Sequence, residues 1–380
     1  MQVKRAIVSA FGAVMAAALA GGCGGSAPSG SLVPASGASA LLPQWLHDGT
    51  ARAVCPSARL GEARCMALIL SKSVQRNISG WTPADFQARY NLPSSSKGSG
   101  QIVAIVDAYD NPNVSSDLAK YRTQFNLGTA TFSKYNQNGQ MGNYPAGNYG
   151  WGLEEDLDAE MISASCPNCT IYLIEANSSA TSDLEAAEDE AVKLGAHIVT
   201  NSWGCPGSLC ASASHFEKKG VEYLASNGDG GYGVQAPAAF DSVAAIGGTV
   251  LSKNGSQYSE TLWSASGGGC ATGVPKPKWQ HDSFCSGRAI GDASAVAWNV
   301  AEYDSYNYGG WFTVGGTSVS SPLLAGVFGL AGNATEQLGG RTFWQSRHHK
   351  YLYDVCGSAC IYKTYSYAGG WGSPDGIGAF

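Results

Sequence analysis

The stretch Gln101-Ile-Val-Ala-Ile-Val-Asp107 decides the fold class, because it is a continuous apolar run that ends in a carboxylate. Such a run is typical of a strand that is buried on both faces of a parallel sheet. Similar strand patterns recur at 170–176, 198–203 and 221–226, and helical patterns lie at 115–125 and 183–194. Strands that alternate with helices predict an α/β fold with a mostly parallel central sheet and helices on both faces.

Polar residues stand at the ends of these predicted strands. Asp107, the segment Ser202-Trp203-Gly204 and Asp229 all fall at strand ends. In parallel α/β sheets the chemistry gathers at the carboxyl ends of the strands. The sequence therefore predicts a functional site at this edge of the sheet.

A second informative stretch is Gly315-Gly-Thr-Ser-Val-Ser-Ser-Pro322, which opens an apolar run that continues to Leu330. The pattern places Ser318 at the N-terminus of a helix. Backbone N–H groups and the helix dipole favour a developing oxyanion at such a position. Ser318 is therefore a candidate nucleophile, and a nucleophilic serine needs a base.

A carboxylate base is visible upstream, at the start of a predicted helix that spans 151–162. Leu157, Met161 and Ile162 supply its apolar stripe, and acidic residues crowd its first turns. Glu154 and Asp158 are four residues apart, so both carboxylates project from one helix face. Two carboxylates held side by side can share a proton, which raises one pKa and allows a carboxylate to act as a base in acidic solution.

Together these motifs resemble the sedolisin family of serine-carboxyl peptidases, which share the subtilisin fold. Gly-Gly-Thr-Ser ends at Ser318, Glu-x-x-Leu-Asp spans 154–158, and Gly-Asp-Gly spans 228–230, in the order that the family uses. The resemblance runs from about Trp81 to the C-terminus. None of the six histidines lies in the His-Gly-Thr motif of subtilisin-like peptidases that use a histidine base.

The resemblance implies a role for each residue of the site. Ser318 is the nucleophile, Glu154 is the general base and acid, and Asp158 orients Glu154. Asp229, when protonated, donates a hydrogen bond to the oxyanion of the tetrahedral intermediate. Asp107 and Trp203 are implied to extend the hydrogen-bond network behind the base.

The family also has a C-terminal calcium site, and the sequence matches it only in part. Asp354 corresponds to the first carboxylate ligand, but Gly372 stands where the family has a second one. Calcium prefers six to eight oxygen ligands, so the loss of a carboxylate weakens such a site. No other cofactor is expected, and Cys356 with Cys360 is a candidate disulfide that would hold this loop instead.

Composition limits the possible partners. The chain has 380 residues, 44% of them hydrophobic, 14% charged, and a formal net charge of −6. It contains no basic run and no stripe of basic and aromatic residues, which argues against nucleic-acid binding. The expected partners are protein or peptide substrates, with a membrane contacted only through an N-terminal lipid anchor.

The first residues have the pattern of an export signal. Lys4 and Arg5 precede an apolar stretch over 6–20 that is too short for a typical membrane span. It ends at Leu19-Ala-Gly-Gly-Cys23, which resembles a bacterial lipobox, although an ordinary signal peptide cut nearby is the alternative. We therefore expect a signal peptide over 1–22 and a flexible tether over 23–50. A short segment over 51–96 would follow, without a full pro-domain, and then a catalytic domain over 97–380.

Eleven cysteines support export to an oxidising compartment. Apart from Cys23 they fall into close pairs, although short-range pairing is one of many connectivities that the sequence allows. Cys166-Pro-Asn-Cys169 favours a structural disulfide over a redox or zinc motif, because no second CxxC and no nearby histidine accompany it. The other candidate pairs are Cys55 with Cys65, Cys205 with Cys210, Cys270 with Cys285, and Cys356 with Cys360.

Each candidate residue also has an ordinary structural explanation. Ser318 could cap a helix, Glu154 and Asp158 could form an exposed acidic helix face, and Asp229 could be a turn residue. The sequence favours an exported serine-carboxyl endopeptidase that works at acidic pH. The alternative is a catalytically silent, surface-anchored binding protein on the same scaffold, a reading supported by the missing pro-domain and the altered calcium turn.

Overall fold

The apolar run at 101–107 forms a central strand of the largest sheet in the computed structural model. The structure describes residues 51–70 and 78–380. The predicted signal peptide over 1–22 and the tether over 23–50, with Cys23, lie outside the described residues.

The described chain contains five α-helices and nineteen strands, several of only two residues. The helices are α1 (Pro83–Arg89), α2 (Val114–Gln124), α3 (Tyr149–Ser165), α4 (Thr181–Lys193) and α5 (Thr317–Ala331). The strands are β1 (Arg52–Ala53), β2 (Arg64–Cys65), β3 (Leu68–Ile69), β4 (Ile102–Ala108), β5 (Thr131–Asn136), β6 (Thr170–Ala176), β7 (Ile198–Asn201), β8 (Trp203–Pro206), β9 (Glu222–Ser226), β10 (Gln235–Ala236), β11 (Val243–Asn254), β12 (Gln257–Leu262), β13 (Gly269–Pro275), β14 (Gly287–Ile290), β15 (Ala293–Val296), β16 (Trp298–Asp304), β17 (Gly310–Gly315), β18 (Leu352–Tyr353) and β19 (Ser373–Pro374).

The main sheet has the strand order β12-β11-β9-β7-β4-β6-β5, and β15 also pairs with β11. Its pairings are parallel, except for the antiparallel pair β11 and β12. The predicted α/β class with a mostly parallel sheet is confirmed. The carboxyl ends of the parallel strands therefore meet at one edge, as the sequence predicts.

Two hydrophobic clusters cover the two faces of this sheet. Val103 and Ile105 of β4 join the cluster that contains Leu157 of α3 and Leu323 of α5. Ala104 and Val106 belong to the second cluster, with Leu184 of α4. Successive strand residues thus point to opposite layers of helix, as expected for a strand buried on both faces.

The predicted strand over 198–203 is two strands, which is a correction to the sequence analysis. β7 ends at Asn201 in the main sheet, and β8 begins at Trp203 and pairs with β10 and β2. The chain leaves the main sheet here because β8 forms its hydrogen bonds with segments far away in the sequence. Ser202 lies at the junction and is fully buried.

All five close cysteine pairs form disulfides in the structure. They are Cys55–Cys65, Cys166–Cys169, Cys205–Cys210, Cys270–Cys285 and Cys356–Cys360.

Among the described residues, no helix has the length and apolar character that a membrane crossing requires.

Candidate active site

Helix α3 carries two of the predicted site residues through the middle of the protein. Its N-cap is Asn148, whose side chain accepts hydrogen bonds from the backbone N–H groups of Gly150 and Trp151. Every residue of α3 from Trp151 to Ser165 is buried. The alternative of an exposed acidic helix face is therefore wrong, because α3 packs between α5, α2 and the sheet.

Glu154 lies at the centre of the candidate site. Its Oε2 accepts a hydrogen bond of 2.8 Å from the backbone N–H of Ala67. Burial, followed by the negative charge of Asp158, raises the pKa of Glu154 well above its usual range, while hydrogen bonds from Ser318 and Ala67 act in the opposite direction. A buried carboxyl group beside the Ser318 hydroxyl is placed to exchange a proton with it, which a general base must do.

Asp158 lies one turn further along α3 and is also fully buried. Its Oδ1 accepts a hydrogen bond of 2.7 Å from the Ser202 hydroxyl. Asp158 Oδ2 and Glu154 Oε1 both lack a hydrogen-bond partner in the part of the chain that the structure describes. Burial raises the pKa of Asp158, so a protonated carboxyl at either residue would supply the missing donor.

Ser318 is the second residue of α5 and is buried. It follows Gly316, whose φ of 116° is readily adopted only by glycine. The Ser318 hydroxyl lies beside Glu154, and its interaction with that carboxyl group lowers the pKa of Glu154. Ser318 Oγ also donates a hydrogen bond of 3.3 Å to the Ser202 carbonyl oxygen. Serine and base are therefore adjacent, without a short bond between them. Such a bond can tighten when a substrate binds.

Asp229 faces the N-terminus of α5. Its Oδ1 accepts hydrogen bonds of 2.8 Å from both the backbone N–H and the hydroxyl of Thr317. Its Oδ2 is buried and has no hydrogen-bond partner among the described residues. Burial raises the pKa of Asp229 to about 6, against the lowering effects of Thr317 and Arg64. The pKa of Asp229 is raised by desolvation and not by a neighbouring negative charge.

The candidate site contains a stretch of backbone that the sequence analysis did not anticipate. β2 pairs antiparallel with β8, so that Arg64 stands opposite Gly204 and Cys65 opposite Trp203. Met66 then donates its N–H to the Ser202 carbonyl oxygen at 3.0 Å, and β3 pairs antiparallel with β17. The segment 64–69 thus crosses the site in an extended conformation.

Asp107 lies at the end of β4, where the sequence places it, and is fully buried. Neither of its carboxyl oxygens has a hydrogen-bond partner in residues 51–70 and 78–380. Burial and the charges of Asp158 and Glu154 raise the pKa of Asp107. Asp107 is therefore near enough to Glu154 for the two carboxyl groups to interact electrostatically. Trp203 differs from the expectation, because its indole N–H donates to the Val106 carbonyl oxygen at 3.0 Å.

The residues around Asp354 do not fit a calcium site. Asp354 Oδ1 accepts hydrogen bonds from the backbone N–H groups of Cys356 and Gly357. The neighbouring sulfurs of Cys356 and Cys360 are joined in a disulfide, so they are not available as ligands. Asp375, the next acidic residue, accepts a hydrogen bond from Asn91. This set offers calcium few of the oxygens that it needs.

The site also uses residues that the sequence analysis missed. Ser202 contacts Asp158, Ser318 and Met66, and Thr317 holds Asp229. In the sequence, Ser202 is marked only as part of a strand end, and no local pattern marks Met66 or Ala67. Their contacts connect segments that are far apart in the chain.

Comparison with known proteins identifies the family and the fold of the chain. The family model described as the subtilase family matches residues 127–353, more than half of the chain. Kumamolisin from Bacillus sp. (strain MN-32) is 29% identical over 290 residues, which cover 66% of this chain and 51% of kumamolisin. Sedolisin from Pseudomonas sp. (strain 101) is 27% identical over 376 residues, which cover 85% of this chain and 63% of sedolisin. The chain therefore spans about half to two-thirds of the length of these relatives.

The solved structure of Pseudomonas sedolisin, described as a serine-carboxyl proteinase in complex with pseudo-iodotyrostatin, superposes with a TM-score of 0.68. It is 23% identical and covers 79% of this chain and 96% of that structure, which supports the fold. The matched residues 127–353 include Glu154, Asp229 and Ser318. The chain belongs to the subtilase family, as a sedolisin-type member with a subtilisin-like fold.

Proposed function

We propose that this chain is an exported serine-carboxyl endopeptidase that hydrolyses peptide bonds at acidic pH. Ser318 is its nucleophile, Glu154 its general base and acid, Asp158 the residue that orients Glu154, and Asp229 a donor to the oxyanion. Five disulfides are consistent with export, because such bonds persist in oxidising compartments. A lipid anchor on Cys23 belongs to the same proposal.

One observation carries this function: a peptide backbone already lies across the site with its polar groups at the candidate catalytic residues. The N–H of Ala67 donates to Glu154 Oε2 at 2.8 Å. The preceding carbonyl, that of Met66, lies beside Gly316 and Asp229. A general acid at the leaving nitrogen and a donor at the carbonyl oxygen are the two requirements of amide hydrolysis.

In the acylation half, Glu154 accepts the hydroxyl proton of Ser318, and Oγ attacks the peptide carbonyl carbon. The negative charge moves to the carbonyl oxygen. Protonated Asp229 and the backbone N–H of Ser318 stabilise this charge at the helix N-terminus. Glu154 then transfers its proton to the departing nitrogen, and the amine product leaves.

In the deacylation half, water takes the place of the amine. Glu154 accepts a proton from the water, whose oxygen attacks the acyl carbon of the Ser318 ester. The bond from carbon to Oγ breaks, and the proton returns to Ser318. Because Asp229 donates only when it is protonated, hydrolysis should be favoured below its pKa of about 6.

Hydrolysis of an acid-denatured protein at about pH 4 tests this function, since Asp229, whose pKa is raised to about 6, is then protonated and can donate to the oxyanion. We expect turnover by the full-length protein and none by Ser318→Ala. Ser320→Ala is the matched control, because Ser320 lies on the same helix turn and its hydroxyl makes one hydrogen bond within the described residues, to the Thr317 carbonyl oxygen at 3.1 Å. A folded wild-type protein without turnover would favour the silent binding protein.

A further inference from the structure

We propose that Lys134 is a positioning residue for the reaction: its ammonium group fixes the start of α3, which carries Glu154, and supplies a positive charge behind that base. The inference rests on the proposed peptidase function and adds a residue to it. Lys134 lies on β5. The cavity of about 400 Å³ beside Asp229 is lined by residues of other segments, namely 57–66, 204–207, 227–235 and 267. Lys134 therefore acts through other residues and not on the substrate.

The Lys134 ammonium group is enclosed by three oxygens, and 11% of the side chain is exposed. Its Nζ lies 2.9 Å from Glu175 Oε1, donates to the Asn111 carbonyl oxygen at 3.0 Å and donates to Asp110 Oδ1. The Tyr144 ring covers it, with Nζ 4.1 Å from the ring centroid. An ammonium group has three N–H donors, so these oxygens hold it in one place.

Asn111 carries this contact to the first turns of α3. Its backbone N–H donates to Glu155 Oε2 at 3.1 Å. Its side-chain amide donates to the Gly152 carbonyl oxygen at 2.9 Å and to Asp156 Oδ2 at 2.8 Å. Glu154 lies between these contacts along the helix. The ammonium group that holds the Asn111 carbonyl therefore also fixes the turn that carries Glu154.

The same loop contacts the N-cap of α3. The Asn148 N–H donates to the Asp110 carbonyl oxygen at 3.2 Å. A Cβ atom placed on Gly152 would lie 3.3 Å from Asn111 Cβ, so loop and helix are closely packed. Lys134 thus ties the edge strand β5 to both the cap and the first turns of the helix that carries the base.

Lys134 is also the cation paired with the carboxyl groups behind Glu154. Glu175 stands opposite Asp107 in the parallel pair of β6 and β4, so both side chains point to the same face of the sheet. Burial, and then the charges of Asp158, Glu154 and Glu175, raise the pKa of Asp107. Asp107 therefore connects the base electrostatically to the ion-pair partner of Lys134.

The base itself is surrounded mainly by acidic groups. The carboxyl groups that interact with Glu154 come from α3, β4, β16 and the loop after β9, namely Asp158, Asp107, Glu302 and Asp229. None of these four forms an ion pair within residues 51–70 and 78–380. Near Asp229, burial raises and Arg64 lowers the pKa of that carboxyl group. The loss of a positive charge from such surroundings favours the protonated form of Glu154.

Lys134 carries its charge throughout the acidic range. The carboxyl groups that face it are those of Asp110, Glu155, Asp156 and Glu175. Desolvation lowers the pKa of Lys134, but the neighbouring carboxyl groups, first of all Glu175, raise it above its ordinary value. A positive charge favours the ionised form of a carboxyl group, so Lys134 favours the form of Glu154 that accepts a proton.

The test compares Lys134→Met with wild type in the pH profile of kcat/KM for an internally quenched peptide. Loss of the charge raises the pKa of the base, so the midpoint of the acid limb should move to higher pH. We expect a shift of roughly 0.5 unit, less than the effect of a directly adjacent charge. Loss of the anchor misplaces Glu154, so kcat should fall about 10-fold. KM should stay within about twofold, because Lys134 does not line the cavity.

Two further lysine variants serve as controls. Lys134→Arg keeps the positive charge and the donors, and should recover most of the wild-type kcat and the wild-type acid limb. Lys193→Met removes a lysine that is 72% exposed on α4 and pairs with Glu190 one turn away. It should leave the profile unchanged. Equal shifts of the acid limb in Lys134→Met and Lys134→Arg would overturn the inference.

Asp110→Asn keeps the inference falsifiable if Lys134→Met fails to fold. The Asp110 carboxyl group contacts the ammonium group near the surface, with 15% of the side chain exposed. Asparagine retains an oxygen that can accept from Lys134 but removes a negative charge. The acid limb should therefore move to lower pH, opposite to the shift in Lys134→Met. An unchanged limb, or a shift to higher pH, would overturn the inference.

The remaining outcomes separate the inference from the proposed function. Peptide hydrolysis by wild type, together with wild-type kcat and an unshifted acid limb in folded Lys134→Met, would overturn the inference and leave the peptidase function standing. A fall in kcat without a shift of the acid limb would reduce Lys134 to a structural residue and would overturn it as well. Absence of turnover by folded wild type would overturn the peptidase function itself, and this inference with it.

Discussion

At the scale of single residues, burial sets the chemistry of Asp229. One of its oxygens is held by Thr317, and the other is buried without a partner in the described chain. Desolvation raises its pKa from 3.8 to about 6, so it is protonated, and able to donate, in weakly acidic solution. An ionised Asp229 would repel the oxyanion that it is proposed to stabilise.

Replacement of Asp229 by asparagine tests this role. We expect wild-type kcat/KM to fall as the pH rises through about 6, because Asp229 loses the proton that it donates. Asp229→Asn should be less active overall yet less sensitive to rising pH, since an amide donor does not titrate. The measurement is a pH profile of kcat/KM for both proteins. An identical alkaline limb in the two profiles would assign that limb to another group.

Two neighbouring glutamates on α3 separate catalysis from structure. Glu154→Gln removes the base, and we expect a loss of at least about 10²-fold in kcat. Sequence reasoning alone treats Glu155 as a residue on another face, where a change should be nearly silent. In the structure Glu155 is buried, and its Oε2 accepts a hydrogen bond from the Asn111 N–H at 3.1 Å.

Burial and the charge of Glu175 raise the pKa of Glu155 well above its usual range. At about pH 4 it is therefore neutral, and glutamine is close in shape and charge to a protonated glutamate. Glu155→Gln should keep wild-type kcat at that pH. The measurement is the steady-state kcat of Glu154→Gln and Glu155→Gln under the same conditions. An equal loss of kcat in the two variants would mean that the register of α3 has been misassigned.

At the scale of elements, α3 is unusual because it carries several acidic residues into the interior. Asp156 and Glu160 face Glu302 and Asp304 of β16, and Asp117 of α2 adjoins them. None of these five forms an ion pair among residues 51–70 and 78–380. Burial raises the pKa of each of them. Protonation is therefore what keeps this layer between helix and strand neutral in acidic solution.

The C-terminal loop around Asp354 is held by a disulfide and by hydrogen bonds within the loop. A disulfide closes Cys356 to Cys360, and Asp354 accepts backbone N–H groups within the same loop. We expect a chelator to shift the midpoint of thermal unfolding by less than about 1 °C. Calcium at a free concentration of a hundred times its Kd would add about 2.7 kcal/mol to the free energy of unfolding, and a chelator would remove this stabilisation.

Calorimetry with and without chelator makes this measurement. Asp354→Asn is a suitable companion variant, because its amide oxygen still accepts the two N–H groups but lacks the charge that calcium needs. A drop of several degrees in wild type alone, on chelation, would restore the calcium site.

At the scale of the whole molecule, buried carboxyl groups make the stability depend on pH. The pKa of Glu175 rises from 4.5 to about 8, mainly by burial and against the opposing effect of Lys134, and burial raises the pKa of Glu222 to about 8. Between pH 4.5 and about 8 the unfolded chain has already released protons that the folded chain still holds. Stability that is fully present below the unfolded pKa is therefore lost as the pH rises toward the folded pKa.

We expect the free energy of unfolding to be highest in acid and to fall between pH 4.5 and about 8. Denaturant unfolding of Ser318→Ala, measured across this range, avoids self-digestion during the measurement. Glu222→Gln should reduce the slope, because a neutral side chain removes one of the titrating groups. Constant stability across the range, or a rise with pH, would contradict the assigned direction of these pKa values.

Sequence alone determined the features that depend on neighbours along the chain. The apolar run through Val106 specified a buried parallel strand, the spacing of Glu154 and Asp158 placed both on one helix face, and the Gly-Thr-Ser turn placed Ser318 at a helix start. Each follows from the local geometry of strand and helix, which repeats every two or 3.6 residues. The close cysteine pairs are candidates on the same ground, because short loops bring them together, but the sequence also allows other connectivities.

Tertiary structure decided what depends on contacts between distant segments. Only the folded chain buries the acidic residues of α3 on all sides, desolvates Asp229 and lays Met66 and Ala67 across Ser318 and Glu154. The hydrogen bond from Ala67 to Glu154 spans 87 positions of sequence. No local pattern encodes such a contact, because it arises from the pairing of β2 with β8 and of β3 with β17, which lie far apart in the sequence.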